Sequence, residues 1–303
     1  MKTTKILSVL MAILIISSIS SCKKKGCTDP LAVNYSEKAK KSDPDDPCVY
    51  ASTDVENKNV ILEEYTGVYC GYCPDGHKRA QEYHDAHPSD VFIIAIHEGY
   101  SSSQSGEDFT TSFGTALEGQ IDLTGYPTGT VNRHNFSSQG WDSNGGTAMS
   151  RGNWSSAGNM ILAEPSYVNL GASCTVNAET RVLTVNVDAY FTGTGASNNN
   201  LNVALLQSNI EGPQSGASGN PSSVLANGNY NHMHMLRHLV TGQWGENIGS
   251  NSSGSRVIKS YEYTIPADLN GVAYVLNNLD VVVFVTEGTQ EIISGVSSAV
   301  SVE

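Results

Sequence analysis

Val60-Ile61-Leu62-Glu63-Glu64-Tyr65-Thr66-Gly67-Val68-Tyr69-Cys70-Gly71-Tyr72-Cys73-Pro74 is the stretch whose reading decides the fold. An apolar, β-prone run leads into two cysteines separated by two residues, and a proline follows at once. The residues from Pro74 to His87 read as a helix, which Pro88 stops. A strand ending in C-x-x-C at the start of a helix is the layout of a thiol–disulfide site. Helix-terminal N–H groups near Cys70 favour its thiolate over its thiol. The same spacing also occurs in structural disulfides and in zinc sites. Zinc needs further ligands, and although His77 lies four residues beyond Cys73, there is no second C-x-x-C.

Working outward, Val60–Tyr65 reads as a strand, and Val91–Ile96 is a continuous apolar, β-branched run of the kind found in a central strand covered on both faces. Residues 99–120 are Ser/Gly-rich and then weakly helical over Asp108–Leu117, the signature of an insertion. Gly125-Tyr126-Pro127-Thr128 introduces a strand around Gly129–Asn132. Gly146–Ala163 reads as a closing helix, with Pro165 marking a boundary. Beyond it, Val168–Val176, Val182–Phe191, Leu201–Ser208, Val257–Ile265 and Val281–Thr286 are β-rich runs between polar turns such as Thr192–Asn200 and Glu211–Asn220. Short strands with polar turns predict a β-sandwich or jelly roll.

His232-Met233-His234-Met235 alternates, so on one strand both histidines point the same way. With His238 they are the candidates for a copper-like ion. The plainer reading, a strand with its methionine face in the core, is preferred, and neither a metal nor another cofactor is expected. Cys174 lies in a β run without an assigned partner and reads as a buried single thiol. Glycine-rich phosphate loops, H-E-x-x-H and G-x-S-x-G are absent from the sequence.

The N-terminus carries Lys2 and Lys5 ahead of an apolar run, Ile6–Ile16, that suits a signal peptide better than a membrane span. It ends in Ile19-Ser20-Ser21-Cys22, which resembles the bacterial lipobox: an aliphatic residue, two small ones and the cysteine that is acylated. That resemblance implies a membrane anchor through Cys22, with Lys23-Lys24-Lys25 opening a solvated tether. Residues 26–50 resemble the short G-C-T-D-P…N-Y…C repeats of exported bacterial proteins, which implies a Cys27–Cys48 disulfide. A bridge over such a loop contributes about 3 kcal/mol to a segment too poor in apolar residues for its own core. Asp29, Asp43, Asp45 and Asp46 match no full EF-type loop and read as solvated turn acids.

The formal net charge is −13, and loss of Lys2 and Lys5 with the signal peptide takes it to −15. A chain this acidic is repelled by phosphate backbones, which argues against nucleic acid as a partner. The six cysteines divide into two pairs, one lipid attachment point and one single thiol, usage that suits an oxidising compartment.

Residues 53–164 resemble a thioredoxin-fold domain in three features beyond C-x-x-C. Glu64, six residues before Cys70, falls where thioredoxins carry a buried acid that assists proton transfer. The strand–C-x-x-C–helix–strand order agrees. Tyr126-Pro127-Thr128 matches the loop whose cis-proline helps to dock substrate. The Cys73–Pro127 separation exceeds that of a minimal thioredoxin, and Tyr69 stands where thioredoxins often carry tryptophan. Lipobox, C-G-Y-C-P and the later Asn231-His232-Met233-His234-Met235-Leu236-Arg237 together resemble the twenty-eight-kilodalton outer-membrane lipoprotein family over roughly residues 55–300.

The expected organisation is a signal peptide (1–21), a tether with a small disulfide-closed module (22–52), an α/β thioredoxin-like domain (53–164) and a β-sandwich (165–303). What the resemblance implies is an envelope lipoprotein at the outer membrane, exchanging thiols and disulfides with exported proteins. Cys70 would attack, Cys73 resolve, Glu64 carry the proton and Tyr126-Pro127-Thr128 dock the substrate. A membrane protein would supply electrons if it reduces. The alternative is a non-catalytic surface lipoprotein that binds proteins or glycans, its Cys70–Cys73 bridge structural.

Overall fold

The computed structural model describes residues 24–98, 108–142, 144–249 and 251–303. Cys22 and the expected signal peptide (1–21) lie outside the described residues. The first region gives β1 (Val60–Thr66), α1 (Cys73–Ala86), β2 (Val91–His97), α2 (Gly114–Gln120), β3 (Thr128–Val131) and α3 (Trp154–Ile161). The second gives β4 (Val168–Val176), β5 (Val182–Phe191), β6 (Asn199–Gln207), β7 (Ile210–Gly212), β8 (Tyr230–His232) and β9 (Met235–Leu239). After these come β10 (Glu246–Gly249), β11 (Arg256–Thr264), β12 (Asp268–Leu269), β13 (Val272–Ala273), β14 (Leu279–Glu287) and β15 (Ile292–Val302).

The fold is mostly β, with few helices. Among the described residues one large mixed sheet runs β11-β5-β4-β15-β14-β6-β9-β2-β1-β3, with β10 paired to β6. β1 and β2 are parallel, and every residue of both strands is buried. Their two faces meet different cores. Leu62 and Ile93 pack with Ala80 of α1 and Trp154 of α3, whereas Ile61, Tyr65 and Ile94 pack with Leu206 and Phe284 from the second half. The continuous apolar run of β2 is thus the buried central strand that its composition predicts.

In the second half, inward residues of β4 and β5 (Val168, Val185, Val187) face those of β6 and β14 (Leu201, Val203, Val281, Val283) across one apolar core, an arrangement consistent with a sandwich. β15 joins the two sides. It runs antiparallel to β14, and its last residues, Val300–Val302, pair in parallel with β4. The sheet also continues across the expected boundary at residue 164, because β9 lies between β6 and β2. The module near the N-terminus is closed by Cys27–Cys48 and docks on the second half through Ser173 Oγ to Val33 O at 2.7 Å.

Two local expectations need correction. The closing helix is confined to Trp154–Ile161, because Met149 pairs with Gly129 through two backbone hydrogen bonds and holds the preceding segment extended. Gly129 itself is required there, since a Cβ would lie 2.8 Å from the Trp154 indole. The weak helix expected over Asp108–Leu117 forms instead at Gly114–Gln120.

The end of β3 ties the halves together. Asn132 and Arg133 both have left-handed backbone, φ 51° and 47°. The Asn132 carboxamide accepts from Ile61 N at 2.9 Å and donates to Asn59 O and Ile292 O. Arg133 donates to both carboxylate oxygens of buried Glu63, at 2.6 and 2.8 Å, and to Thr289 O at 3.0 Å. Breaking a buried pair leaves an uncompensated charge. Arg133→Met is therefore expected to cost about 3–5 kcal/mol of unfolding free energy, read by denaturant titration. The double variant Glu63→Met/Arg133→Met should recover most of that loss, and equal loss in both variants would contradict this account.

Candidate functional site

α1 begins at Cys73, with Pro74 in its first turn, where a missing N–H costs nothing. Cys70 and Cys73 are joined as a disulfide, with Cα atoms 5.4 Å apart. Cys73 is fully buried and Cys70 half-buried, while the Tyr72 side chain between them is 73% exposed. The Arg151 guanidinium sits 5.9 Å from the Tyr72 ring centroid and donates to Asp75 at 2.5 Å. Together with Arg79 it holds the Asp75 carboxyl below the usual carboxylate range.

Beneath the first turn of α1 lie two residues singled out from the sequence. A Cβ on Gly76 would stand 2.7 Å from Glu64 Oε1 and 3.1 Å from Pro127 Cβ, so only glycine lets the helix approach both. The Tyr126–Pro127 bond is cis. Tyr126 OH donates to Glu118 at 2.7 Å, and Thr128 Oγ1 donates to Met149 O at 3.0 Å. Pro127 is thus the member of the predicted docking loop that reaches α1, while Thr128 is buried in β3.

Glu64 is 2% exposed, and its Oε1 has no hydrogen-bond partner among the described residues. Burial pushes its carboxyl well above the usual range. His77, one helical turn beyond Cys73, brings Nε2 to 3.8 Å from that oxygen. Its Nε2 also lies 2.8 Å from Thr66 Oγ1 and its Nδ1 3.0 Å from Tyr230 OH. Asn220 Nδ2 donates to the same Tyr230 oxygen at 3.0 Å.

These groups border a cavity of about 180 Å³ that His97 and His232 also line. The His97 and His232 ring centroids are 5.3 Å apart. Neither nitrogen of His97 has a hydrogen-bond partner among the described residues, whereas His232 Nε2 lies 3.2 Å from Pro213 O. Burial lowers the His77 pKa to about 3 and that of His232 to about 4.

The reading of one strand through His232 and His234 does not hold. β8 ends at His232, β9 begins at Met235, and His234 between them has φ 54°. Both histidines still reach the cavity, but His238 stacks on Tyr263 at 4.1 Å between centroids, away from it. Met235 enters a core with Val68 and Phe109, whereas Met233 is half-buried and lines the cavity, so the two methionines do not share one core face. Among the described residues no group of three or more His, Cys, Asp or Glu is placed to hold a metal ion. Cys174 is a free thiol 3% exposed, its pKa pushed up to about 12 by burial.

Sequence reasoning read Glu211–Asn220 as a spacer turn, and part of it crosses the C-x-x-C segment. Gln214 Nε2 donates to Gly67 O and Cys70 O, and Ser215 N donates to Val68 O at 2.7 Å. Gly216, at φ 69°, packs so closely that a Cβ would stand 1.9 Å from Gly71 O. No local signal marks this contact. Tyr230 and His97 were missed for the same reason, since only the tertiary fold brings them to His77.

The family described as outer membrane protein Omp28 matches residues 114–303. The chain belongs to that family. Its Omp28 match starts inside the helical segment after β2, later than the expected residue 55, so the C-x-x-C strand precedes it. Membership supports an outer-membrane or cell-envelope location. HBP35 of Porphyromonas gingivalis is similar in structure, with TM-score 0.62 and 21% identity, covering 81% of this chain and 76% of that one. The likeness is one of fold. Protein AGR_C_4864 from Agrobacterium tumefaciens aligns more loosely, at TM-score 0.47 and 11% identity over 80% of this chain and 94% of that one. No curated protein matches the chain.

The neutral cavity fixes how stability depends on pH. Histidines held near 3 and 4 refuse protons that the unfolded chain accepts below 6.5. Stability should therefore fall as pH drops from 6.5 towards 4, by up to about 3 kcal/mol for one such histidine. Glu64 has the opposite sign, because its raised pKa costs stability as pH climbs above the ordinary 4.5. Denaturant titrations from pH 4 to 8 should show His232→Asn flattening the acid limb and Glu64→Gln gaining stability over wild type with rising pH. Parallel profiles would contradict these assignments.

Proposed function

We propose that this chain is an envelope lipoprotein, acylated at Cys22, whose Cys70–Cys73 pair exchanges disulfides with exported proteins on a thioredoxin-like scaffold. The observation that carries this reading is the convergence of four features on the first turn of α1: the C-x-x-C pair, buried Glu64 with Oε1 unpaired among the described residues, Gly76 and the cis Pro127. A bridge that only stapled the chain would need neither Glu64 nor Pro127 against it. Parallel β1 and β2 joined through α1, with β3 antiparallel to β1, support the thioredoxin-like reading.

In the reducing direction the Cys70 thiolate attacks a substrate disulfide. The substrate S–S bond breaks, a mixed disulfide forms and one substrate thiolate leaves. Cys73 then gives its proton to the Glu64 carboxylate and attacks Cys70 Sγ, forming the intramolecular bond and releasing the second substrate thiolate. The two thiolates take up two protons, one from Cys73 by way of Glu64 and one from solvent that balances ionisation of Cys70. A membrane-bound dithiol protein would restore the reduced pair. Pro127 would sit beside the mixed disulfide, with Tyr126 and Thr128 fixing its loop.

The second reading, a non-catalytic binder of proteins or glycans, is favoured by the 214–216 strap over Gly67–Gly71, which leaves Cys70 only half-open. Equilibration of the full chain in glutathione buffers with thiol trapping separates the two. A potential within roughly −120 to −270 mV, with rapid exchange, is expected of an oxidoreductase; one below about −300 mV with negligible exchange is that of a structural bridge. Cys70→Ser should abolish turnover of a model disulfide, and retained turnover would remove this mechanism.

A further inference from the structure

Glu64 is almost fully buried at the cavity wall, and a proton delivered to it must leave before the next cycle. Its side chain is 2% exposed, while that of His77, 3.8 Å away, is 15% exposed. That distance exceeds a hydrogen bond, and Nε2 is hydrogen-bonded to Thr66 Oγ1 at 2.8 Å, so transfer needs one intervening water or a turn of the ring away from Thr66. The imidazole is the only side-chain type with two ring nitrogens that can take a proton on one while losing it from the other. The two nitrogens of His77 face opposite ways. Nε2 is on the Glu64 side, and Nδ1 meets Tyr230 OH at 3.0 Å. Asn220 donates to that phenol oxygen, and its Nδ2 also reaches Ser223 Oγ at 3.0 Å, extending the chain of polar groups away from Glu64.

We propose that His77 and Tyr230, a pair made between α1 and β8, form the proton exit of Glu64, so that the C-terminal half of the chain completes the thiol site. The proposal rests on the disulfide-exchange reading given above. In the tautomer with hydrogen on Nδ1, the Glu64 carboxyl proton passes to Nε2. The Nδ1 proton passes to the Tyr230 oxygen, and the phenol proton goes to water in the cavity that buried Tyr230 lines. One proton enters, one leaves, and no electron moves. Burial that pushes His77 down to about 3 makes it a conductor and not a store of protons.

Several other titratable groups face this pair. His97 approaches from β2 and His232 from β8, with His234 just beyond; burial keeps all three neutral at pH 7. Lys78, Glu82 and Asp85 of α1 also line the cavity and are exposed to solvent. Asn220 is a positioning residue, since its amide fixes the phenol on which His77 depends.

The test uses the full chain, with single-turnover resolution of a Cys70 mixed disulfide to a small aromatic thiol followed from pH 5 to 9. His77→Gln and Tyr230→Phe should slow the Cys73-dependent step about a hundredfold and alter its pH profile. Both should leave the rate of Cys70 alkylation within twofold of wild type. Added imidazole should restore the rate of His77→Ala, a response that a merely structural role would not give. Wild-type resolution rates across the pH range in His77→Gln and Tyr230→Phe, with Cys70→Ser inactive, would overturn the relay and leave the exchange reading standing. Absence of exchange in the wild-type chain itself would remove both.

Discussion

The buried ion pair of Glu63 and Arg133 governs more of this molecule than any other contact. Arg133 reaches its partner because Asn132 and Arg133 turn left-handed at the end of β3, and the turn is held by hydrogen bonds to β1 and to the β14–β15 hairpin. Strand alternation then decides the fate of two neighbouring acids. Glu63 faces the second half, where a guanidinium neutralises it, and Glu64 faces α1, where nothing positive meets it. A one-residue slip in β1 would exchange them. The same pin that joins the two halves therefore sets which carboxyl lies beneath the cysteines, and with it the protonation state available for chemistry.

Elements whose signal is local were legible in the sequence. The runs Val168–Val176 and Val182–Phe191 are strands with the bounds that their apolar alternation gives. The first strand, the C-x-x-C helix and the second strand came through because composition, Pro74 and Pro88 all agreed. β15 did not, since Ile292-Ile293-Ser294-Gly295-Val296-Ser297-Ser298 looks like a polar turn. It is a strand because Asn59 donates to Ser294 Oγ and Gly295 O, and because Ile61 fills the space above Gly295. The apparent single strand through the two histidines breaks at His234, a residue that local propensity would not place at positive φ.

The candidate site was half legible. Cys70, Cys73, Glu64 and Pro127 could be named from spacing and resemblance, and of these Glu64 and Pro127 meet at Gly76, in the helix that Cys73 opens. The other half is contributed from far along the chain: Gln214 and Gly216 over the cysteines, Tyr230 and His232 across the cavity. Such placements depend on the order of strands in the sheet, and β9 between β6 and β2 is what carries this segment to α1. Single-sequence patterns hold no record of that crossing.

The electrostatic character of the site follows from this enclosure. The chain carries a formal charge of −13, yet burial raises the Glu64 carboxyl and lowers the imidazoles that line the cavity, disfavouring charge on each. A thiolate formed at Cys70 would draw support from the N–H groups at the start of α1. A charged Glu64 would repel that thiolate across a medium of low polarity. Burial of Glu64 thus has two effects: it disfavours the carboxylate, and it makes that carboxylate, once formed, a stronger base.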